Sequence, residues 1–169
     1  IEVPPGKKPV FSPDQESKVI SELVAVTKLK GITAIQIDFD ARVSARNFYR
    51  RVLCELRRQL PGSVALSITA LGSWGIYDRW LSTAEIDEAA TMLFRMGPDR
   101  DLFVQRLRAG KDFSPSNCLV SYGISTDEPL DESIYKFLSK GRVYIFHPKP
   151  WTRDALTLVM EEMQYGYKN

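Results

Sequence analysis

Residues 35–41 read IQIDFDA. Gln36, Asp38 and Asp40 alternate with Ile35, Ile37 and Phe39. Strand geometry puts residues i, i+2 and i+4 on one face, so the stretch is a strand with one apolar and one polar, acidic side. An exposed edge strand carries such a face cheaply. A buried strand carries it only where the carboxylates have partners or a task. The elements on either side decide between the two.

Before the stretch comes FSPDQESKVISELVAVTKLKG (11–31). Ser12 is an N-cap, Pro13 suits the first helical position, Gln15 completes a capping box and Gly31 ends the helix. Further back, IEV (1–3) reads as the end of another strand. After the stretch, Ser44 caps a helix running to Leu60, with Phe48, Val52, Leu56 and Leu60 recurring every four residues. Pro61 and Gly62 stop it. Strands are then expected over 64–71, 91–96, 118–124 and 142–147, and helices over 82–89, 99–110, 131–141 and 152–165.

Strict alternation of five strands, or six with IEV, predicts parallel βα units in one α/β domain over 1–169. Short, mostly apolar strands fit a sheet covered by helices. An open doubly wound sheet and part of a closed (β/α)₈ barrel are the alternatives, and a complete barrel takes about 250 residues. In this order IQIDFDA is an internal strand. In a barrel its polar face points inward, with Asp40 at the carboxyl-terminal rim, where barrel enzymes keep their chemistry.

Composition excludes several function classes. The chain has 169 residues, 44% hydrophobic and 26% charged, with a net charge of +2. That charge is too small to argue for nucleic acid or an anionic membrane. Arg46, Arg50, Arg51, Arg57 and Arg58 read as the solvated face of their helix. No run of about 18 apolar residues is present to span a bilayer, and no signal peptide is recognisable. The chain begins at Ile1 rather than Met, which leaves localisation open. His147 is the single histidine and no C-x-x-C pair exists, which excludes zinc sites built from Cys and His. Cys54 and Cys118 read as buried free thiols. With no G-x-S-x-G elbow, G-x-G-x-x-G fingerprint or P-loop, no cofactor is expected.

Three blocks carry a resemblance: AIQIDFDARVSARNFYRRVLCELRRQLP, LSITALGSWGIYDRWL and DEAATMLFRMG, with a weaker continuation in YIFHPKPW (144–151). Together they resemble the bacterial family known only as domain of unknown function 3142. That family is similar in turn to glycoside hydrolase family 18 and related (β/α)₈ barrels. The resemblance implies that Gln36, Asp38 and Asp40 occupy the positions of the chitinase D-x-D-x-E series, with Asp40 where the general-acid Glu stands. It implies that Met92, Leu93, Phe94 and Arg95 occupy the M-x-Y-D positions, and that Trp151 is the tryptophan under the sugar. IEV would then be the third strand, with two βα units absent from the N-terminal end. The chain would be the C-terminal part of a barrel whose open edge is covered by a further segment or by self-association. Asp for Glu, Gln for Asp, and Phe94 and Arg95 for Tyr and Asp depart from the substrate-assisted chitinase pattern.

The candidate catalytic residues are therefore Asp40 as acid and Asp38 as its helper, about 6.6 Å apart along the strand. Gln36 shares their face. Arg95 is expected to pair with a carboxylate or to recognise an anionic group through its fork of donors. The loop GSWGIYDRW (72–80) offers Trp74, ahead of Trp80, as a sugar platform. Thr69, Ser73, Tyr122 and Ser125 sit near strand ends and would line a pocket, and His147 and Trp151 follow the last strand. Two functions are expected from these residues. One is a glycoside-hydrolase-like enzyme acting on a carbohydrate. The other is a non-catalytic carbohydrate-binding barrel in which Arg95 neutralises the aspartates. A sugar ligand gives a mild preference for the bacterial envelope.

Overall fold

The computed structural model describes residues 11–39, 45–72, 74, 84–110 and 119–166. Five parallel strands form one curled sheet in sequential order: β1 (Ala34–Ile37), β2 (Ala65–Leu71), β3 (Glu88–Met92), β4 (Leu119–Ser125) and β5 (Val143–Phe146). Five α-helices are described: α1 (Pro13–Thr27), α2 (Arg46–Gln59), α3 (Arg100–Arg108), α4 (Glu132–Leu138) and α5 (Arg153–Gly166). A doubly wound sheet reverses its strand order part-way; this one does not. Sequential order leaves helices over one face and makes the other the concave face of a half-barrel.

The sheet register assigns residues to faces. Gln36 aligns with Ser67 and Ser67 with Glu88, while Ile37 aligns with Ile68 and Ile68 with Ala89. The Ile37 row faces the helices. Ile35, Ile37 and Phe39 are buried there with Leu66, Ile68 and the α2 residues Tyr49, Val52, Leu53 and Leu56. A second apolar cluster joins Tyr122 and Ile124 of β4 to Phe103 and Leu107 of α3 and Ile134 and Leu138 of α4. The Gln36 row faces the concave side.

Local sequence explains several boundaries. Ser12 and Gln15 form the expected capping box, with Gln15 N–H donating to Ser12 Oγ at 3.2 Å and Ser12 N–H to Gln15 Oε1 at 3.1 Å. The second helix departs from expectation. Ala45 is its N-cap, with no side-chain capping bond, and Ser44 lies outside the described residues. Its other end is tied down by Arg57, which donates to Asp87 at 3.1 Å and to the carbonyls of Pro61 and Val64. Asp87 also accepts from the Leu66 amide at 2.7 Å.

That arrangement corrects the sequence reading of 82–96. Within the expected helix over 82–89, residues 84–87 are non-helical and β3 already begins at Glu88. Asp87 spends its side chain on the β2 backbone, and Glu88 finds hydroxyl donors on both neighbouring strands. The strand stops at Met92, and Arg95 takes a left-handed φ of 52°. Its amide donates to both carboxylate oxygens of Glu128 at 3.0 Å, which holds a backbone conformation that is costly for a residue with a Cβ.

Two further expectations concern the place of β1 and the cysteines. The strand read as internal, β1, ends the described sheet, with β2 its only described neighbour; IEV falls outside the described residues. Cys54 is a free thiol but exposed, on the outward side of α2, because Val52, Leu53 and Leu56 take the inward positions. Cys118 lies outside the described residues.

Leu56 is fully buried and Leu158 is 57% exposed. Leu56→Ala is expected to lower stability by about 2–5 kcal/mol through the cavity it leaves. Leu158→Ala should stay within about 0.5 kcal/mol of the parent. Urea midpoints of the two variants check the contrast.

Candidate functional site

The concave face carries a polar group across its middle and along β1. Gln36 projects from β1 and Asp38 just after it, Ser67 and Thr69 from β2, Glu88 from β3, Ser121 from β4, and Tyr144 from β5 with Arg142 just before it. Period-two alternation puts them there, since their neighbours Ile37, Ile68, Ala89, Tyr122 and Val143 share the helix side.

Glu88 is the centre of this face, although the sequence does not single it out. Gln36 Nε2 donates to Ser67 Oγ at 2.9 Å, and Ser67 Oγ donates to Glu88 Oε2 at 2.8 Å. Ser121 Oγ donates to Glu88 Oε1 in a short bond. Tyr144 OH donates to the same carboxylate at 3.2 Å, and Arg142 Nη1 lies 3.3 Å from Oε1. The Glu88 side chain is 13% exposed. Burial pushes its pKa up, but the bonds from Ser121, Ser67 and Tyr144 and the charge of Arg142 outweigh that, leaving it below the ordinary value of 4.5. A carboxylate so furnished is an anchor. It is a poor proton donor at neutral pH.

Asp38 lies further along β1, towards the carboxyl end, and is exposed. Its Oδ1 accepts from Thr69 Oγ1 at 2.8 Å, across the β1–β2 boundary. Thr69 itself is 6% exposed, so an exposed carboxylate is tied to a buried hydroxyl. Behind the strand, Tyr49 sits with its hydroxyl 3.5 Å from the Ile37 carbonyl. Burial raises its pKa, and the nearby Asp38 charge adds to the rise. Asp40 and Arg42, and the loop residues Ser73 and Trp80, lie outside the described residues.

The rim beyond β3, β4 and β5 holds a second group. Thr126 Oγ1 is hydrogen-bonded to His147 Nδ1 at 2.6 Å, and the Thr126 amide donates to the Phe146 carbonyl, which extends the β4–β5 ladder by one rung. His147 stacks on Trp151 with ring centroids 4.8 Å apart, and Trp151 is 46% exposed. Arg95 reaches Asp127 at 3.4 Å, and Ser125 donates to the other oxygen of Asp127. Among the described residues the partners of Arg95 are therefore Asp127 and Glu128. Asp38 is not one of them. The strand turn after Met92 sends the arginine towards the β4 loop instead of into the concavity.

Gln36, Asp38 and Thr69 thus share one wall of the concave face, and Arg95, His147 and Trp151 share the rim at its far side. Two expected pocket residues stand elsewhere. Tyr122 is 2% exposed on the helix side, because the polar row of β4 is Ser121, Gly123 and Ser125. Trp74 is 1% exposed and packs on Tyr49 in the first apolar cluster, with ring centroids 6.4 Å apart. A ring this large gains more from burial against apolar neighbours than from solvent. A groove of about 420 Å³ lies along α2, lined by Arg50, Arg51, Cys54 and Glu85 among others, and so belongs to the helix side. No group of three or more potential metal ligands occurs among the described residues, and no described helix is long and apolar enough to cross a membrane.

Glu88 generates a stability prediction. Glu88→Ala leaves the Ser67, Ser121 and Tyr144 hydroxyls without their acceptor, at an expected cost of about 1–3 kcal/mol in urea unfolding. Because the folded pKa lies below 4.5, the carboxylate's contribution is fully present above that value and is lost as pH falls through the folded pKa. Glu88→Gln should therefore flatten the loss of stability below about pH 4.5, while an unchanged acid limb would contradict the assignment.

No known family model, no curated protein and no solved structure matches the chain. The likeness to domain of unknown function 3142 and to the chitinase-type barrels rests on the sequence blocks alone.

Proposed function

We propose that this chain is part of a (β/α)₈ barrel of the glycoside-hydrolase-like kind and acts on a carbohydrate at the carboxyl-terminal rim of its sheet. The observation that carries the reading is the Asp38–Thr69 pair: an exposed carboxylate, oriented by a buried hydroxyl, on the polar face of a parallel sheet. Catalytic groups of barrel enzymes come from that end of the strands. The stacked His147 and Trp151 at the same rim supply an aromatic surface for the C–H face of a sugar ring.

In this reading Asp40, two residues on in the sequence, is the general acid that protonates the leaving glycosidic oxygen. Asp38 holds a sugar hydroxyl and tunes Asp40 through their like charges. Thr69 sets the position of Asp38, and Gln36, bonded to Ser67, belongs to the wall beneath it. No cofactor enters the chemistry.

A second reading, a barrel that binds carbohydrate without cleaving it, is favoured by one observation. The described carboxylates on the concave face, Glu88 and Asp38, each accept hydroxyl bonds, which suits acceptors for ligand hydroxyls. In this form the reading does not use Arg95, whose carboxylate partner is Asp127.

A thermal-shift screen against a broad oligosaccharide panel separates the readings. A ligand at 100 times its Kd should stabilise the fold by about 2.7 kcal/mol. Cleavage of that glycan by the parent, and binding without cleavage by Asp40→Asn, is the outcome expected of an enzyme. Binding by both proteins with cleavage by neither assigns a binding barrel. A panel that shifts neither protein removes the carbohydrate reading.

A further inference from the structure

The concave face changes character towards its carboxyl end. Its lower part is the hydrogen-bonded group around Glu88. Its upper part, over β3 to β5, is apolar: Met92, Gly123 and Phe146, with Phe94 just beyond β3. Gly123 is the key to this change. Its backbone is not left-handed, so the glycine serves space and not turn geometry. A Cβ placed there would meet Met92 Sδ at 2.8 Å and Phe146 Cε2 at 3.2 Å. Side chains from the strands on both sides thus close over the gap that β4 leaves.

The same part of the face carries an aromatic pair between segments that are not neighbours. Next-but-one strands in a sheet are about 9.6 Å apart. Yet the rings of Phe94, after β3, and Phe146, on β5, have centroids 5.2 Å apart at 44°. By register Ser125, not Gly123, is the β4 residue level with Phe146; the Phe146 ring leans back over Gly123, where a side chain would meet its Cε2. Phe146 still exposes 37% of its surface, and the Arg95 guanidinium stands 6.0 Å from the Phe94 ring centre. Asp127, Thr126 and His147 follow directly from the ends of β4 and β5.

We propose that Phe146, laid over Gly123 and braced by Phe94, is a platform for the apolar face of a pyranose ring, and that Gly123 is the specificity-determining residue that sets the height of that platform. A protein partner needs an apolar patch of several hundred square ångströms. Here Phe146 is 37% exposed, and Thr126, His147, Asp127 and Arg95 from the same rim supply hydroxyl, imidazole, carboxylate and guanidinium groups. That combination fits a ring-sized ligand with one C–H face and an edge of hydroxyls. The inference rests on the carbohydrate reading above and deepens it, since neither Phe146 nor Gly123 is among the residues the sequence motifs nominate.

The test uses the glycan that stabilises the parent chain in the oligosaccharide panel, with Kd measured by calorimetry. Phe146→Ala should bind about tenfold more weakly, and Phe146→Tyr within about threefold of the parent. Gly123→Ala should also weaken binding while keeping the parent's circular dichroism, because the added methyl forces Met92 and Phe146 to move. A glycan that binds the parent and binds Phe146→Ala equally well overturns this inference and leaves the carbohydrate reading standing. A panel with no ligand for the parent removes both.

Discussion

One carboxylate reaches every strand of the sheet. Glu88 sits on β3, takes hydroxyls from β2 and β4, and takes a phenol and a guanidinium from β5; Gln36 of β1 joins through Ser67. A half-barrel needs such a clasp. Its helix face is held by apolar burial, but its concave face has no opposing layer among the described residues. A buried charge without partners would cost more than the sheet could bear. With four donors it becomes the fixed point from which the concave face is organised, and it leaves Asp38 to solvent one layer higher. The division of labour follows from environment alone. The same residue class is an anchor at Glu88, where donors converge, and an exposed group at Asp38, where the Thr69 hydroxyl reaches it.

The parts of this arrangement that were legible in the sequence are those governed by local chemistry. Ser12, Pro13 and Gln15 announce the first helix because a capping box needs only four residues to form. The alternation around Asp38 gave the two faces of β1, and helical spacing gave the inward side of α2. Parallel βα order followed from the alternation of elements, and the sequential strand order agrees with it.

What was not legible depends on partners distant in sequence. Glu88 reads as the end of a helix until Ser67 and Ser121 are known to flank it. Tyr122 and Ser121 exchange roles on a one-residue phase that only the register with β3 fixes. Trp74 carries the same composition signal whether it faces a ligand or Tyr49, and burial decided it. Gly123 is silent in the sequence because an absent side chain is noticed only when its neighbours fill the space.

The strand order also shapes how the fold can assemble. Each ladder joins strands consecutive in the chain, and the Gln36–Ser67 contact spans 31 residues and Ser67–Glu88 spans 21. Loop-closure entropy grows only slowly with length, so closures of this kind differ little in cost from one ladder to the next. Glu88 reaches further, its bond to Tyr144 spanning 56 residues. Glu88 thus has one of its four donors from β2, one from β4 and two from the β5 segment, and the full set exists only in a sheet that includes all three.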